Sequence, residues 1–440
     1  IKVDREERPD VDKIYQTAHQ LLTQRGGGWP LTMFLDGEDQ RPFFGGTYFP
    51  KEPRYGMPAF GELLKNVAAY YAEKRDEVRS QSARLLDVFK RLEPAPAGSD
   101  GALDSGPLAT ARETFERTFD REYGGFGSAP KFPHPTTIDY LLRRWRASAN
   151  DAEPDVEALF MAALTLTRMA DGGLFDHVGG GFCRYSVDRY WQIPHFEKML
   201  YDNGPLLALY AQAALATGDQ RFAEAAHATA NWLLADMQAD NGGFFATRDA
   251  DSEGHEGIYY LWRPEQVREL LGDEYDVFAQ RFGLDQDANF EGQWHLSVRQ
   301  SISDIAKAAG RKEKAVASAI DKAKKTLLAE RQKRVPPGRD EKQLTSWNAL
   351  AIRGLAIAGR ALERPDLIDA AVRATNFLQS TLRVDGRLRV SYKDGEARFS
   401  AYLDDHAFLL DALLELLQSR WDSAHLAFAV DIADLMLEHF

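Results

Sequence analysis

Cysteine is nearly absent: Cys183 is the one thiol in 440 residues. That excludes an intrachain disulfide framework and a Cys-x-x-Cys centre within these residues, and it fits a reducing, cytoplasmic compartment. Long hydrophobic runs are missing as well. None reaches the roughly 18 apolar residues that a membrane-spanning helix needs, so no membrane partner is expected. Basic charge is also in short supply. Lys and Arg number 54 against 67 Asp and Glu, a net charge of -13, which disfavours nucleic acid because neutralising phosphates needs a basic face. The basic stretch 311–325 alternates with apolar residues at helical spacing and reads as a solvated helix face. The first residue is Ile1 rather than Met, and residues 1–4 read as the end of a buried strand. The expectation is a fragment, on which a missing signal peptide says nothing about localisation.

What is present is ordinary in bulk, with 44% hydrophobic and 28% charged residues, and too long for one core, so two domains are expected. Residues 1–97 alternate strand and helix signals. A polar helix covers about 10–23, and two short apolar runs flanking Asp36-Gly37 read as an antiparallel pair. Helical periodicity covers 60–92. The segment Glu93-Pro-Ala-Pro-Ala-Gly-Ser-Asp-Gly101 is a linker by composition, and the linker proper is placed at 98–107. From 108 to 440 the pattern is almost all helix. Gly-rich aromatic loops recur at Tyr123-Gly-Gly-Phe-Gly127, Gly179-Gly-Gly-Phe182, Asn241-Gly-Gly-Phe-Phe245 and Asp385-Gly-Arg-Leu388. The first two steps fit one helical hairpin plus a loop each; a charged insertion at about 264–340 lengthens the last. Residues 205–216 and 346–361 are apolar nearly all round, whereas 219–237 and 365–382 carry a charged face. Alternating inner and outer helices predict a mainly α fold, a toroid of helical hairpins. Four hairpins can be counted, a fifth is expected to begin at Asp422, and the ring is expected to be incomplete at the C-terminus.

Unusual polar residues stand where each inner helix begins: Lys131-Phe-Pro-His134, then His195, Glu197, Tyr201 and Asp202, then Thr345-Ser-Trp347-Asn348, then Tyr402-Leu-Asp404-Asp405-His406. In a toroid these helix starts share one end, so residues 200 apart in sequence can line one funnel. The connection 244–260 adds Arg248, Asp249, Asp251 and Glu253, and the second Gly-rich loop adds His177, Arg184 and Tyr185. Each also has a bland role: Asp404 and Asp405 as helix caps, His195 and His134 as hydrogen-bonded structural histidines, Trp347 as core. Tyr259, Tyr260 and Trp262 read as strand residues packing on the ring. Asp249 and Asp251 resemble a calcium loop only superficially, with no Gly at the sixth position and no Glu at the twelfth, and no metal or cofactor is expected. Aromatic faces with carboxylates and Arg suit a mono- or oligosaccharide. A glycosidase needs two carboxyl groups, which Glu197 with Asp251 or Asp404 could supply. An epimerase needs bases on opposite faces of one carbon, and His195 with His406 could serve. His177, Arg184, Tyr185, Tyr201, Asp202, Asp249, Trp347, Asn348, Asp404 and Asp405 are the expected substrate contacts.

The motifs Ile1-Lys-Val-Asp-Arg-Glu-Glu-Arg-Pro-Asp10, Gly26-Gly-Gly-Trp-Pro30, Phe44-Gly-Gly-Thr-Tyr-Phe-Pro50, Gly124-Gly-Phe-Gly-Ser-Ala-Pro-Lys-Phe-Pro133, Pro194-His-Phe-Glu-Lys-Met-Leu-Tyr-Asp202, Leu344-Thr-Ser-Trp-Asn348 and Leu403-Asp-Asp405 carry a resemblance. The chain resembles the spermatogenesis-associated, thioredoxin-domain-containing protein family with its bacterial YyaL-type members. The resemblance implies a thioredoxin-like domain followed by a six-hairpin-glycosidase-like (α/α)6 barrel akin to sugar 2-epimerases. It also makes Pro30 similar to the cis-proline of thioredoxins, with the family's Cys-x-x-Cys segment upstream of Asp4. These residues lack that pair, and Cys183 reads as a packing residue. Two other functions stay open: a thiol–disulfide protein acting on a thiol client in its complete form, suggested by the thioredoxin-like strand and the Trp29-Pro30 turn, and a non-catalytic sugar- or protein-binding scaffold, which fits a toroid equally well.

Overall fold

The computed structural model describes residues 1–92 and 104–440. The chain divides into two compact units, Ile1–Asp104 and Ser105–Phe440. In the first, α1 (Pro9–Thr23) opens with Pro9 and carries Asp10 and Asp12 in its first turn, where a preset φ and negative charge suit a helix N-terminus. Strands β1 (Thr32–Leu35) and β2 (Pro42–Gly46) pair antiparallel, Thr32 opposite Gly46. The Trp29–Pro30 peptide is cis. The helical pattern over 60–92 is two helices, α2 (Phe60–Glu73) and α3 (Arg75–Leu92), parted at Lys74. Positions 93–103, with most of the expected linker, lie outside the described residues.

The second unit begins with α4 (Gly106–Thr118). Two hairpins follow: α5 (Pro135–Ala147) with α6 (Val156–Asp171), then α7 (Leu200–Thr217) with α8 (Gln220–Trp232). Between α6 and α7 lie β3 (Tyr185–Ser186), β4 (Pro194–His195) and β5 (Lys198–Met199); after α8 come β6 (Thr247–Arg248), β7 (Asp251–Ser252) and β8 (His255–Glu256). The insertion forms α9 (Pro264–Leu271), α10 (Tyr275–Phe282), α11 (Ile302–Ala309) and α12 (Glu313–Arg331), with its own apolar core around Phe278, Ile305 and Leu327. Next are β9 (Arg339–Asp340), β10 (Gln343–Leu344) and the hairpin of α13 (Thr345–Ala361) with α14 (Pro365–Phe377). Strands β11 (Arg383–Val384), β12 (Arg387–Lys393) and β13 (Glu396–Ser400) precede α15 (Leu403–Ser419) and α16 (Ser423–His439). Among the described residues no helix is long and apolar enough to cross a membrane.

Helices α5, α7, α13 and α15 lie side by side in that order, and α7 and α13 are buried nearly all round. These are the inner helices of an (α/α)6-type toroid, represented by four hairpins among the described residues. Helix α16 packs on α15, so it completes the fourth hairpin; the fifth expected from Asp422 is this partner helix. The α7–α13 crossing is unusually close. A Cβ on Gly354 would stand 2.1 Å from the Gly204 carbonyl oxygen, and one on Gly204 2.9 Å from the Ala351 backbone. Only glycine permits that approach. Tyr259 and Tyr260 lie in a turn and not in a strand, although Tyr260 and Trp262 are buried as expected.

Candidate active site at the mouth of the inner helices

The Gly-rich loops are held by a recurring device. In the first, Lys131 donates to Asp120 and to the Gly124 carbonyl, both at 2.7 Å. In the second, buried Lys198 donates to Asp176 at 2.8 Å and to the Gly180 carbonyl at 2.7 Å, while Arg331 grips both Asp176 oxygens at 2.8 Å. Burial alone would raise the Asp176 carboxyl, but Arg331 and Lys198 overcome it and hold the group well below its ordinary range. Among the described residues the third loop has no such ion pair; there Asn241 and Gln343 bond each other through their side-chain amides. One turn into the next inner helix an amide clamps the loop. Asn203 accepts from the Phe182 N–H and donates to its carbonyl, and Asn348 does the same to Phe244.

These loops aim the segment that follows at the start of α7. Antiparallel pairing sets Tyr185 opposite His195, and their rings stack with centroids 5.1 Å apart. His195 Nδ1 lies 2.7 Å from Glu256 Oε1, and Nε2 lies 3.8 Å from Glu197 Oε2. Arg184 donates to Glu197 at 2.9 Å. The neighbouring wall is aromatic: Phe132 against Tyr185, and Tyr201 edge-on to Trp347 across the α7–α13 boundary, each at 4.8 Å. The side chains of His195, Glu197 and Arg184 are 28%, 22% and 19% exposed, so solvent reaches them. Asp202, in the first turn of α7, is 5% exposed, and its Oδ2 has no hydrogen-bond partner. Burial pushes its carboxyl up to about 8, with Arg184 opposing and Glu197 adding to the rise.

The sequence reading therefore finds His195, Glu197, Arg184, Tyr185, Tyr201, Asp202 and Trp347 in one connected neighbourhood, and the geometry adds Glu256. That residue follows from a hairpin the sequence contains: Glu253 and Gly254 both have positive φ, 52° and 80°, as an I′ turn requires, and so Asp251 faces Glu256. A strand–turn–strand reading of Asp251-Ser-Glu-Gly-His-Glu256 places Glu256 opposite Asp251, but its meeting with His195, 61 residues away, has no local signal. Other expected contacts serve elsewhere. His177 is a core histidine, bonded through Nε2 to the Gly172 carbonyl at 2.8 Å and pushed down to about 3 by burial. Asn348 is fully buried in its clamp. Asp249 is exposed and accepts from its own loop at Ala250, and Asp251 is exposed in β7. Asp405 accepts from the Tyr402 and Ser346 N–H groups, tying α15 to α13, and burial raises it to about 7. Asp404 is exposed beside it. His406 is buried, with Nδ1 at 2.7 Å from the Tyr402 carbonyl oxygen and its ring against Phe440; no hydrogen bond joins it to His195. Cys183 is buried and pushed up to about 12 by burial, which makes it a poor nucleophile.

Residues 1–90 match the family described as Thioredox_DsbH, protein of unknown function DUF255. Spermatogenesis-associated protein 20 of Homo sapiens is 33% identical over 99% of this chain and 60% of its own length. An uncharacterized protein of Caenorhabditis elegans is 35% identical over 98% of this chain and 63% of its own. The chain thus spans about three fifths of the length of these curated relatives. Among solved structures, a sugar epimerase from a ruminal bacterium is 15% identical, with 76% of this chain and 87% of that one covered, at a TM-score of 0.34. A family 76 glycoside hydrolase (mannosidase) from Bacteroides thetaiotaomicron is 10% identical, with 74% and 67% covered, at 0.43.

Proposed function

From the premise that the chain is related along nearly its whole length to spermatogenesis-associated protein 20, we propose that its helical unit acts on a mono- or oligosaccharide by acid/base chemistry at the start of α7. The observation that carries this reading is the His195 arrangement. Glu256 on Nδ1 favours the tautomer with its proton there, leaving the Nε2 lone pair free as a base. Glu197, placed by Arg184, lies 3.8 Å from Nε2 and favours the imidazolium that forms when a proton arrives. Tyr201 and Trp347 offer C–H surfaces of a sugar ring an apolar wall, and polar neighbours meet its hydroxyls. For a reducing sugar in open-chain form, Nε2 would take the C2 proton adjacent to the carbonyl. Asp202, neutral at pH 7, would donate to the carbonyl oxygen as negative charge develops there.

The carboxyl pair supports a second reading. Asp202 as a neutral acid and Glu197 as a carboxylate are the two roles glycoside hydrolysis requires. One experiment separates the two. Reducing mono- and disaccharides are incubated in deuterated water and followed for deuterium at C2 and for new reducing ends. Exchange that disappears in His195→Ala supports proton transfer at carbon; cleavage lost in Asp202→Asn supports hydrolysis. Neither event across a broad panel would remove the proposal.

A further inference from the structure

The hairpin that presents Glu256 to His195 also contributes Ser252 and Glu253 to a separate cavity of about 390 Å³. Its other polar walls are Arg263, Gln266, Gln293 and Arg334. Arg334 is the informative one. Its guanidinium lies 4.1 Å above the Trp262 ring and donates to the carbonyls of Tyr259 at 2.9 Å and Leu261 at 2.7 Å, with Gln266 Oε1 at 3.4 Å. These contacts fix the plane of the fork without neutralising it. Among the described residues neither Arg334 nor Arg263 has a carboxylate within 4.0 Å.

The contrast with its neighbours is informative. Arg331, three residues earlier, is matched by both oxygens of Asp176, and Arg248 by Asp236. Arg334 instead is pushed below its ordinary range, first by burial and then by Arg331. A partly buried cation held rigid beside a second cation lowers its energy by accepting an anion. The cavity is big enough for one, and the side-chain amides of Gln266 and Gln293 can supply neutral donors on its wall. Glu253 is the one carboxylate among the described lining residues, and it pairs with neither arginine.

We propose that this cavity binds a small oxyanion, a carboxylate or phosphate group, with Arg334 as the fixed fork and Arg263 as the second cation. The site stands on its own geometry and does not rest on the carbohydrate reading. The test is calorimetric titration with inorganic phosphate, with glucuronate and with glucose. Saturable binding of phosphate or glucuronate and none of glucose is expected; the tighter of the two anions identifies the group as phosphate or carboxylate. Gln266→Glu sets a carboxylate against Arg334 in a nearly isosteric side chain, and binding is expected to weaken at least about tenfold. Arg263→Ala, on the exposed rim, is expected to weaken it by a few-fold without loss of helical circular dichroism. Absence of saturation by either anion at concentrations up to about 10 mM, equivalent to a binding free energy weaker than about 3 kcal/mol, would overturn the proposal. So would unchanged binding in Gln266→Glu.

Discussion

Asp202 is the residue whose chemistry is most directly measurable. Its folded pKa of about 8 lies above the unfolded carboxyl value of 3.8, so the native state holds a proton that the unfolded state has released between those two limits. Stability from this group is therefore greatest below pH 4 and declines as pH rises towards 8, by at most about 1.4 kcal/mol per pH unit. Denaturant melts from pH 5 to 7 are expected to show Asp202→Asn gaining on the wild type by about that slope; parallel curves would mean the carboxyl is ionised in the fold. Residues of this kind were legible in sequence as site members because they cluster at one motif. Their protonation was not, because it depends on which oxygen lacks a partner. His177 illustrates the reverse: a Gly-rich loop histidine suggested a ligand contact, and packing against Phe175 and Phe282 made it core.

At the scale of elements, the close α7–α13 crossing and the amide clamps decide how the site is presented. Gly354→Ala places a methyl against the Gly204 carbonyl, and the helices must separate; a loss of about 1–3 kcal/mol in stability is expected by chemical denaturation. Asn348→Ala leaves the Phe244 N–H and carbonyl without partners in a buried loop, costing about 2–4 kcal/mol. If Asn348 touched ligand instead, stability would hold and affinity would fall. Element type was readable from periodicity at α7 and α13, which are apolar nearly all round, whereas their outer partners α8 and α14 keep a polar face. The clamps were not readable, because Asn at an inner-helix start satisfies either a sugar hydroxyl or a backbone pair, and only the position of Phe182 or Phe244 distinguishes them.

At the scale of the whole molecule, the inserted helices are tied to the toroid through charge. Arg331, at the end of α12, reaches Asp176 in the loop before α7. Asp176→Asn leaves Lys198 and Arg331 buried without a counter-charge, and a loss of about 3–5 kcal/mol is expected in thermal or denaturant unfolding. The hairpin order was legible because Gly-rich aromatic loops mark each repeat. The contact between Asp176 and Arg331 was not, because 155 residues separate them and no local pattern encodes the pairing. The same kind of distant pairing brings Glu256 to His195 across 61 residues. The decisive measurement is the turnover of Glu256→Gln beside the wild type on the sugar that the wild type processes best. Glu256 is expected to orient and charge-stabilise His195, so kcat should fall at least about 100-fold with KM nearly unchanged. A kcat equal to that of the wild type would contradict the assignment of His195 as the base.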